Sequence, residues 1–400
     1  MNFDPSSSIQ DYLVFGEFGG VNPSITDSST FTFLSPDKMK ELFEHDVEGC
    51  FLYSRHWNPT NKYLSNALAL MESTESAIVT ASGMSAITCS ILQLCKAGDE
   101  IISSHTIYGG TYALFKNFLP RFNIKVHFID INDGEALQDK LTSKTKVVYC
   151  ESMSNPLLEI PDIHKIKSAI EPWGAKLVVD NTFCPMLFTP TESGADVTIH
   201  SMTKFINGTS DAMGGCICST DEFIHQLTDV NSGASMLLGP ALDSLRAASI
   251  LKNMHSLHIR MAKHSENALF LARKFQELGL KIYYPGLSTH KQHDLFCRQG
   301  NTDLGFGGML ALDVEDEKKA HRFMENMQKE KVGYLAVSLG YFKTLFSSPG
   351  NSTSSEIPDD EQASLGLSKG LVRMSIGLDH DIEKTYSRIR KSLIDADIKV

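Results

Sequence analysis

Short, β-branched apolar runs alternate with amphipathic stretches from residue 77 onward, a pattern that predicts strands and helices in turn. The runs are Ala77–Thr80, Glu100–Ser103, Lys125–Ile129, Lys146–Tyr149 and Lys176–Val179, with further strands expected at Val197–His200 and Gly215–Cys218. Between them, Ser85–Lys96, Thr111–Arg121, Gly134–Leu141 and Asp162–Trp173 read as helices. Such alternation predicts a mostly parallel sheet covered on both faces. Residues 1–60 carry little periodicity and much Ser, Thr, Pro and Asn; so long an irregular stretch is expected to pack against something else and is read as an arm. A long helical segment over Ala241–Leu278 leads into a looser α+β pattern, which sets a boundary near His255. The expected organisation is an arm over 1–60, a sheet domain over 61–255 and a smaller C-terminal α+β domain over 256–400. Between Ser347 and Gly370 a Ser/Pro/Gly/Asp-rich stretch is placed like an active-site loop, just before Leu371-Val372-Arg373.

A chain of 400 residues is long enough for about two or three domains, each with its own core. Its 37 basic against 48 acidic residues leave a net charge of −11, which argues against nucleic acid and anionic lipid as partners. No run approaches the ~20 apolar residues of a membrane helix, and Met1–Gln10 shows neither a signal nor a transit peptide, so a soluble cytoplasmic protein is expected. Eight cysteines are too sparse for a disulfide scaffold; Cys89, Cys95, Cys150, Cys216 and Cys218 sit in apolar runs and read as reduced core thiols. His255, His258 and His264 lack a neighbouring carboxylate and a fourth ligand, so no metal site is expected. Gly305-Phe306-Gly307-Gly308 begins no βαβ unit and does not make a dinucleotide loop.

In open α/β sheets ligands bind at the carboxyl ends of the strands, which draws attention to Ser82-Gly83-Met84, Tyr108, Asn155, Asp180 and Ser201–Lys204. Lys204 follows one strand and Asp180 ends another; a lysine paired with an acid at a ring nitrogen is the arrangement that pyridoxal 5′-phosphate requires. Ser82-Gly83-Met84-Ser85 opens a helix and supplies backbone N–H groups and hydroxyls for a phosphate. Tyr108 stands at another strand-to-helix turn, where its ring can stack on a cofactor or simply pack.

These motifs, together with Tyr53-Ser54-Arg55, Asn58-Pro59-Thr60 and Leu371-Val372-Arg373-Met374-Ser375-Ile376-Gly377, resemble the pyridoxal-phosphate enzymes of cysteine and methionine metabolism over essentially the whole chain. The resemblance implies the aspartate-aminotransferase-like fold, fold type I. It implies that Lys204 binds the cofactor covalently, that Asp180 partners its ring nitrogen and that Tyr108 stacks on the ring. Gly83, Met84, Ser201 and Thr203 match the phosphate binders, and Asn155 the residue near the ring hydroxyl. Tyr53 and Arg55 are expected to reach the phosphate of a neighbouring subunit, which makes a homodimer the active unit and a homotetramer the usual assembly. Arg373 matches the group that grips the carboxylate of a small amino-acid substrate, a role that suits a bidentate guanidinium. Ser338 and Leu339 match residues on the substrate side.

Members that handle cystathionine carry a Glu directly before Ser-Leu-Gly, where this chain has Val337. The resemblance therefore favours the branch that cleaves methionine by α,γ-elimination, with Tyr108 as the acid for the departing sulfur. Bacterial members of that branch place a cysteine at the position of Gly110 and a Lys-Asp pair at Asn231-Ser232, so the choice among methionine, homocysteine and other S-substituted amino acids stays open. Two rival readings stay open as well: a cystathionine lyase or synthase or an O-acetylhomoserine sulfhydrylase on the same fold, and a non-enzymatic α/β protein whose Lys204 pairs with a bound phosphate.

Overall fold

The computed structural model describes residues 3–33, 35–44, 47, 49–351 and 367–399; residues 352–366 of the stretch expected to form an active-site loop lie outside them. Seven strands form the larger sheet: Ser76–Thr80 (β1), Glu100–Ser104 (β2), Lys125–Ile129 (β3), Thr145–Glu151 (β4), Lys176–Asp180 (β5), Val197–Ser201 (β6) and Gly215–Ser219 (β7). Their order is β1-β7-β6-β5-β4-β2-β3. Only β7 runs against its neighbours, so the carboxyl ends of the other six strands share one edge.

Alternating side chains of the central strands enter different cores. Val148, Cys150, Leu177 and Val179 pack with Ile163, Ile166 and Ile170, whereas Val147, Tyr149 and Val178 pack with Ile87, Ile91 and Phe115. Burial on both faces is why these strands read as continuous apolar runs.

Five strands, Lys281–Tyr283 (β8), Met309–Asp313 (β9), Gly333–Leu335 (β10), Thr344–Ser347 (β11) and Leu371–Ser375 (β12), make a second sheet in the order β10-β11-β12-β9-β8. Residues of the helices Leu257–Glu277, Glu317–Lys329 and Ile382–Ile394 share its core.

Three helical stretches differ from the sequence expectation. The segment expected over Thr111–Arg121 is an α-helix only over Gly109–Ala113, then a π turn at Leu114–Phe118 and a 3-10 turn at Leu119–Phe122. Pro120 has no N–H to give to the preceding turn. Pro172 likewise sits in a 3-10 turn, Glu171–Trp173, beyond the end of the helix at Ile170. The long segment over Ala241–Leu278 is two helices, Ser244–Met254 and Leu257–Glu277, and we propose the break at His255–Ser256 as the boundary between the two units.

The arm is also less irregular than its sequence suggests. Asp4 caps a helix over Pro5–Gln10, and a second helix covers Pro36–Glu44, where Leu42 is buried. These segments are too short for periodicity to reveal them. Hydrogen bonds from Thr26 N–H to Thr60 Oγ1 (2.8 Å) and from Asn58 Nδ2 to Thr26 O (3.0 Å) tie the arm to the helix Pro59–Met71.

Cys89, Cys95, Cys150, Cys184, Cys216 and Cys218 are buried and unpaired, and burial pushes the Cys89 thiol up to about 11. His264 is a core histidine, with Nδ1 2.6 Å from Ile376 O; burial pulls its pKa down to about 4. Among the described residues no helix is long and apolar enough to cross a membrane.

Candidate active site

The carboxyl edge of the larger sheet gathers most of the residues singled out from the sequence. At the end of β1, Ser82 caps the helix Gly83–Leu94: Ser85 N–H donates to Ser82 Oγ at 3.1 Å, and Ser82 N–H donates back to Ser85 Oγ at 3.1 Å. The cap points the free N–H groups of that helix toward the neighbouring strand end. Gly83 lies so close to β6 that a Cβ there would meet Ser201 Cβ at 2.7 Å. Ser201 N–H donates to Thr182 Oγ1 at 2.8 Å, and Thr203 Oγ1 accepts the Gly214 N–H at 3.1 Å. A helix N-terminus at Gly83 thus meets Ser201, at the head of the hydroxyl-bearing turn Ser201–Thr203, and N–H groups and hydroxyls gathered in this way suit an anion.

Lys204 stands in the same turn, and its Nζ donates to Ser338 Oγ at 3.1 Å. Burial, reinforced by the charge of Arg373, brings its pKa down to about 8, so it gives up its proton more readily than a free lysine. The contact with Ser338 is made because the loop Ser338–Gly340 docks on this turn. Gly340 has φ +77°, and a Cβ there would lie 2.5 Å from Phe205 N. Leu339 is buried beside it.

Asp180 closes β5. One carboxylate oxygen accepts the Thr182 N–H at 3.0 Å and the other faces the Tyr149 hydroxyl at 3.4 Å. Burial pushes its pKa up, while the hydrogen bonds from Thr182 and the charge of His200 pull the other way. Arg373, in the middle of β12, is buried and donates from Nη1 to Asn155 Oδ1 at 3.0 Å. Tyr108 opens the helix Gly109–Ala113 with its side chain partly exposed. Its ring lies against the backbone of Gly110, where a Cβ would meet Tyr108 Cε1 at 2.5 Å.

Two expected residues do not join this group in a single chain. Arg55 donates from Nη1 to Met236 O at 2.8 Å and lies 5.7 Å from the Tyr53 ring, while Tyr53 pairs with Thr30.

The sequence reading missed three groups. Tyr149 and Glu151 sit on β4, which continues past the apolar run; Glu151 is opposite Asp180 in register. His200, on β6, is fully buried against Glu72. A tyrosine or a carboxylate at the end of an apolar strand was the available signal, since a buried hydroxyl or acid must find partners.

The set fits pyridoxal phosphate. Gly83 lets the helix N-terminus approach Ser201 more closely than a side chain would allow, Lys204 is an amine of lowered basicity, and Asp180 is an acid suited to a protonated ring nitrogen. Asn155 is held beside Arg373 by the hydrogen bond from its guanidinium.

Comparison with known proteins agrees with this chemistry. The family profile of the Cys/Met metabolism PLP-dependent enzymes matches residues 12–387. Methionine gamma-lyase from Arabidopsis thaliana is 41% identical over 398 residues, covering 98% of this chain and 90% of the relative. Cystathionine gamma-lyase from Dictyostelium discoideum is 35% identical over 381 residues, covering 94% of this chain and 93% of the relative. Among solved structures, a chain from Campylobacter jejuni described as an O-acetylhomoserine (thiol)-lyase superposes with a TM-score of 0.89 at 26% identity, covering 98% of this chain and 100% of that one. That structure carries N′-pyridoxyl-lysine-5′-monophosphate.

Proposed function

The chain belongs to the Cys/Met metabolism PLP-dependent enzymes, and from that membership we propose that it is a lyase that cleaves L-methionine by α,γ-elimination. Methionine and water would give methanethiol, 2-oxobutanoate and ammonia. The observation that carries the substrate choice is Val337, exposed next to the Ser338 that Lys204 touches. An isopropyl group there suits a thioether tail and offers no partner to a distal ammonium. The 41% identity to a protein named methionine gamma-lyase supports the same reading.

When bound, pyridoxal phosphate supplies the electron sink that makes the substrate's Cα–H acidic. The protein supplies the rest. Arg373, oriented by Asn155, binds the substrate carboxylate. Lys204 Nζ, kept weakly basic by burial, takes the proton from Cα. The Tyr108 hydroxyl gives its proton to the sulfur as the Cγ–S bond breaks. Gly83, Met84, Ser201 and Thr203 would hold the phosphate, and Asp180 would partner the ring nitrogen.

The same reading assigns Tyr53 and Arg55 to the phosphate of a second copy, so that a homodimer is the active unit and a homotetramer the expected assembly. Exposed Leu13, Phe15, Phe18 and Val21 of the arm supply apolar surface for that contact.

The test is a visible spectrum of the purified protein before and after L-methionine, with 2-oxobutanoate assayed in the same sample. Keto acid from methionine is the expected result. A yellow protein inert to methionine that turns over cystathionine, or O-acetylhomoserine with sulfide, overturns the substrate assignment.

A further inference from the structure

Glu151 is 7% exposed and ends β4 between two loops of the site. Its Oε1 accepts the Tyr108 N–H at 2.6 Å and its Oε2 accepts the Asn155 N–H at 3.1 Å. Asn155 in turn accepts from Arg373 at 3.0 Å. We propose that Glu151 is a positioning residue, one carboxylate that sets both the Tyr108 ring and the Asn155–Arg373 clamp.

Two N–H donors, one on each oxygen, call for an acceptor on both, which a carboxyl group offers and a carboxamide, with its one oxygen and its NH₂, does not. Burial, and after it the neighbouring charge of Asp180, push the pKa of Glu151 well above the usual carboxylate range, and the two N–H groups and Arg373 offset only part of that rise. Those three partners offset part of the cost of burying a carboxyl group at this depth. In return, the Tyr108 loop and the Asn155 loop are locked to the same rigid strand end. The geometry thereby couples the group that stacks on the cofactor to the group that binds the substrate carboxylate. The coupling rests on the functional reading above; the anchoring of the two loops does not.

The closing experiment uses the holoenzyme and Glu151→Gln, which keeps the volume and one acceptor but turns an NH₂ toward an N–H. The expected outcome is a rise of about 10-fold or more in KM for methionine with a smaller change in kcat, and a weaker visible circular-dichroism band at unchanged absorbance. Faster hydrogen exchange at the Tyr108 and Asn155 amides, with the rest of β4 unaltered, separates this role from a general loss of stability. Unchanged KM and dichroism overturn the proposal. Should the variant not fold, the wild-type protein decides: slow exchange at both amides is expected, and fast exchange at either one overturns the anchoring. The exchange readout needs no substrate, so it stands apart from any failure of the methionine assignment.

Discussion

Replacing Glu72 by Gln should lower the stability of the protein, and lower it most at acidic pH. His200 Nε2 lies 2.6 Å from Glu72 Oε1 with both side chains fully buried, and Asn181 Nδ2 donates to the same oxygen at 3.1 Å. Burial alone would strip the imidazole of its proton, but the charge of Glu72 and its hydrogen bond outweigh that and raise the His200 pKa from 6.5 to about 9. A histidine whose folded pKa is raised stabilises the fold fully below its unfolded pKa and loses that contribution as pH climbs through the folded one. Here the window runs from 6.5 to about 9. A shift of that size is worth about 3 kcal/mol at pH 6 and close to nothing above the window. Spread over the unfolding entropy of a chain or a domain of this size, it amounts to about 3 to 8 °C in Tm. Differential scanning fluorimetry of the holoenzyme and Glu72→Gln at pH 6, 7.5 and 9.5 measures it. Groups remote from the pair titrate alike in both proteins, so the gap between the curves reports the pair together with Cys216 and Asp180, whose charges couple to His200. A gap that stays constant, or that widens with pH, would refute a charged His200.

Lys204→Ala should abolish the visible absorption of a lysine-bound cofactor and all turnover, read by spectrophotometry and keto-acid assay; an unchanged band and rate would remove Lys204 from its role. Arg373→Ala should raise KM by about 30-fold or more, since truncating one partner of a desolvated charge pair costs at least about 2 kcal/mol, and an unaltered KM would place the carboxylate elsewhere. Gly110→Cys adds a Cβ that would lie 2.5 Å from Tyr108 Cε1, so the ring must move. The ratio of kcat/KM for methionine to that for homocysteine should change with it, and an unchanged ratio would show that the Tyr108 position does not govern the choice.

The central strands were legible because burial on both faces writes itself as unbroken apolar runs such as Leu177-Val178-Val179. The rule that ligands gather at carboxyl ends then pointed to Gly83, Tyr108, Asp180 and Lys204 without knowledge of the strand order. What lay outside the sequence was everything that depends on which distant segments touch. Lys204 meets Ser338 across 134 residues, and Arg373 meets Asn155 across 218. No local period encodes either contact, because each is set by the docking of the second sheet on the first. The protonation states of Glu151 and His200 were hidden for the same reason. A carboxylate or an imidazole in a strand has no marked protonation state until burial removes its water and the fold supplies a partner, Tyr108 and Asn155 for one and Glu72 for the other. Residue types and their local periodicity were thus determined by the sequence alone, whereas the protonation of these groups and the closure of the site were decided only by tertiary packing.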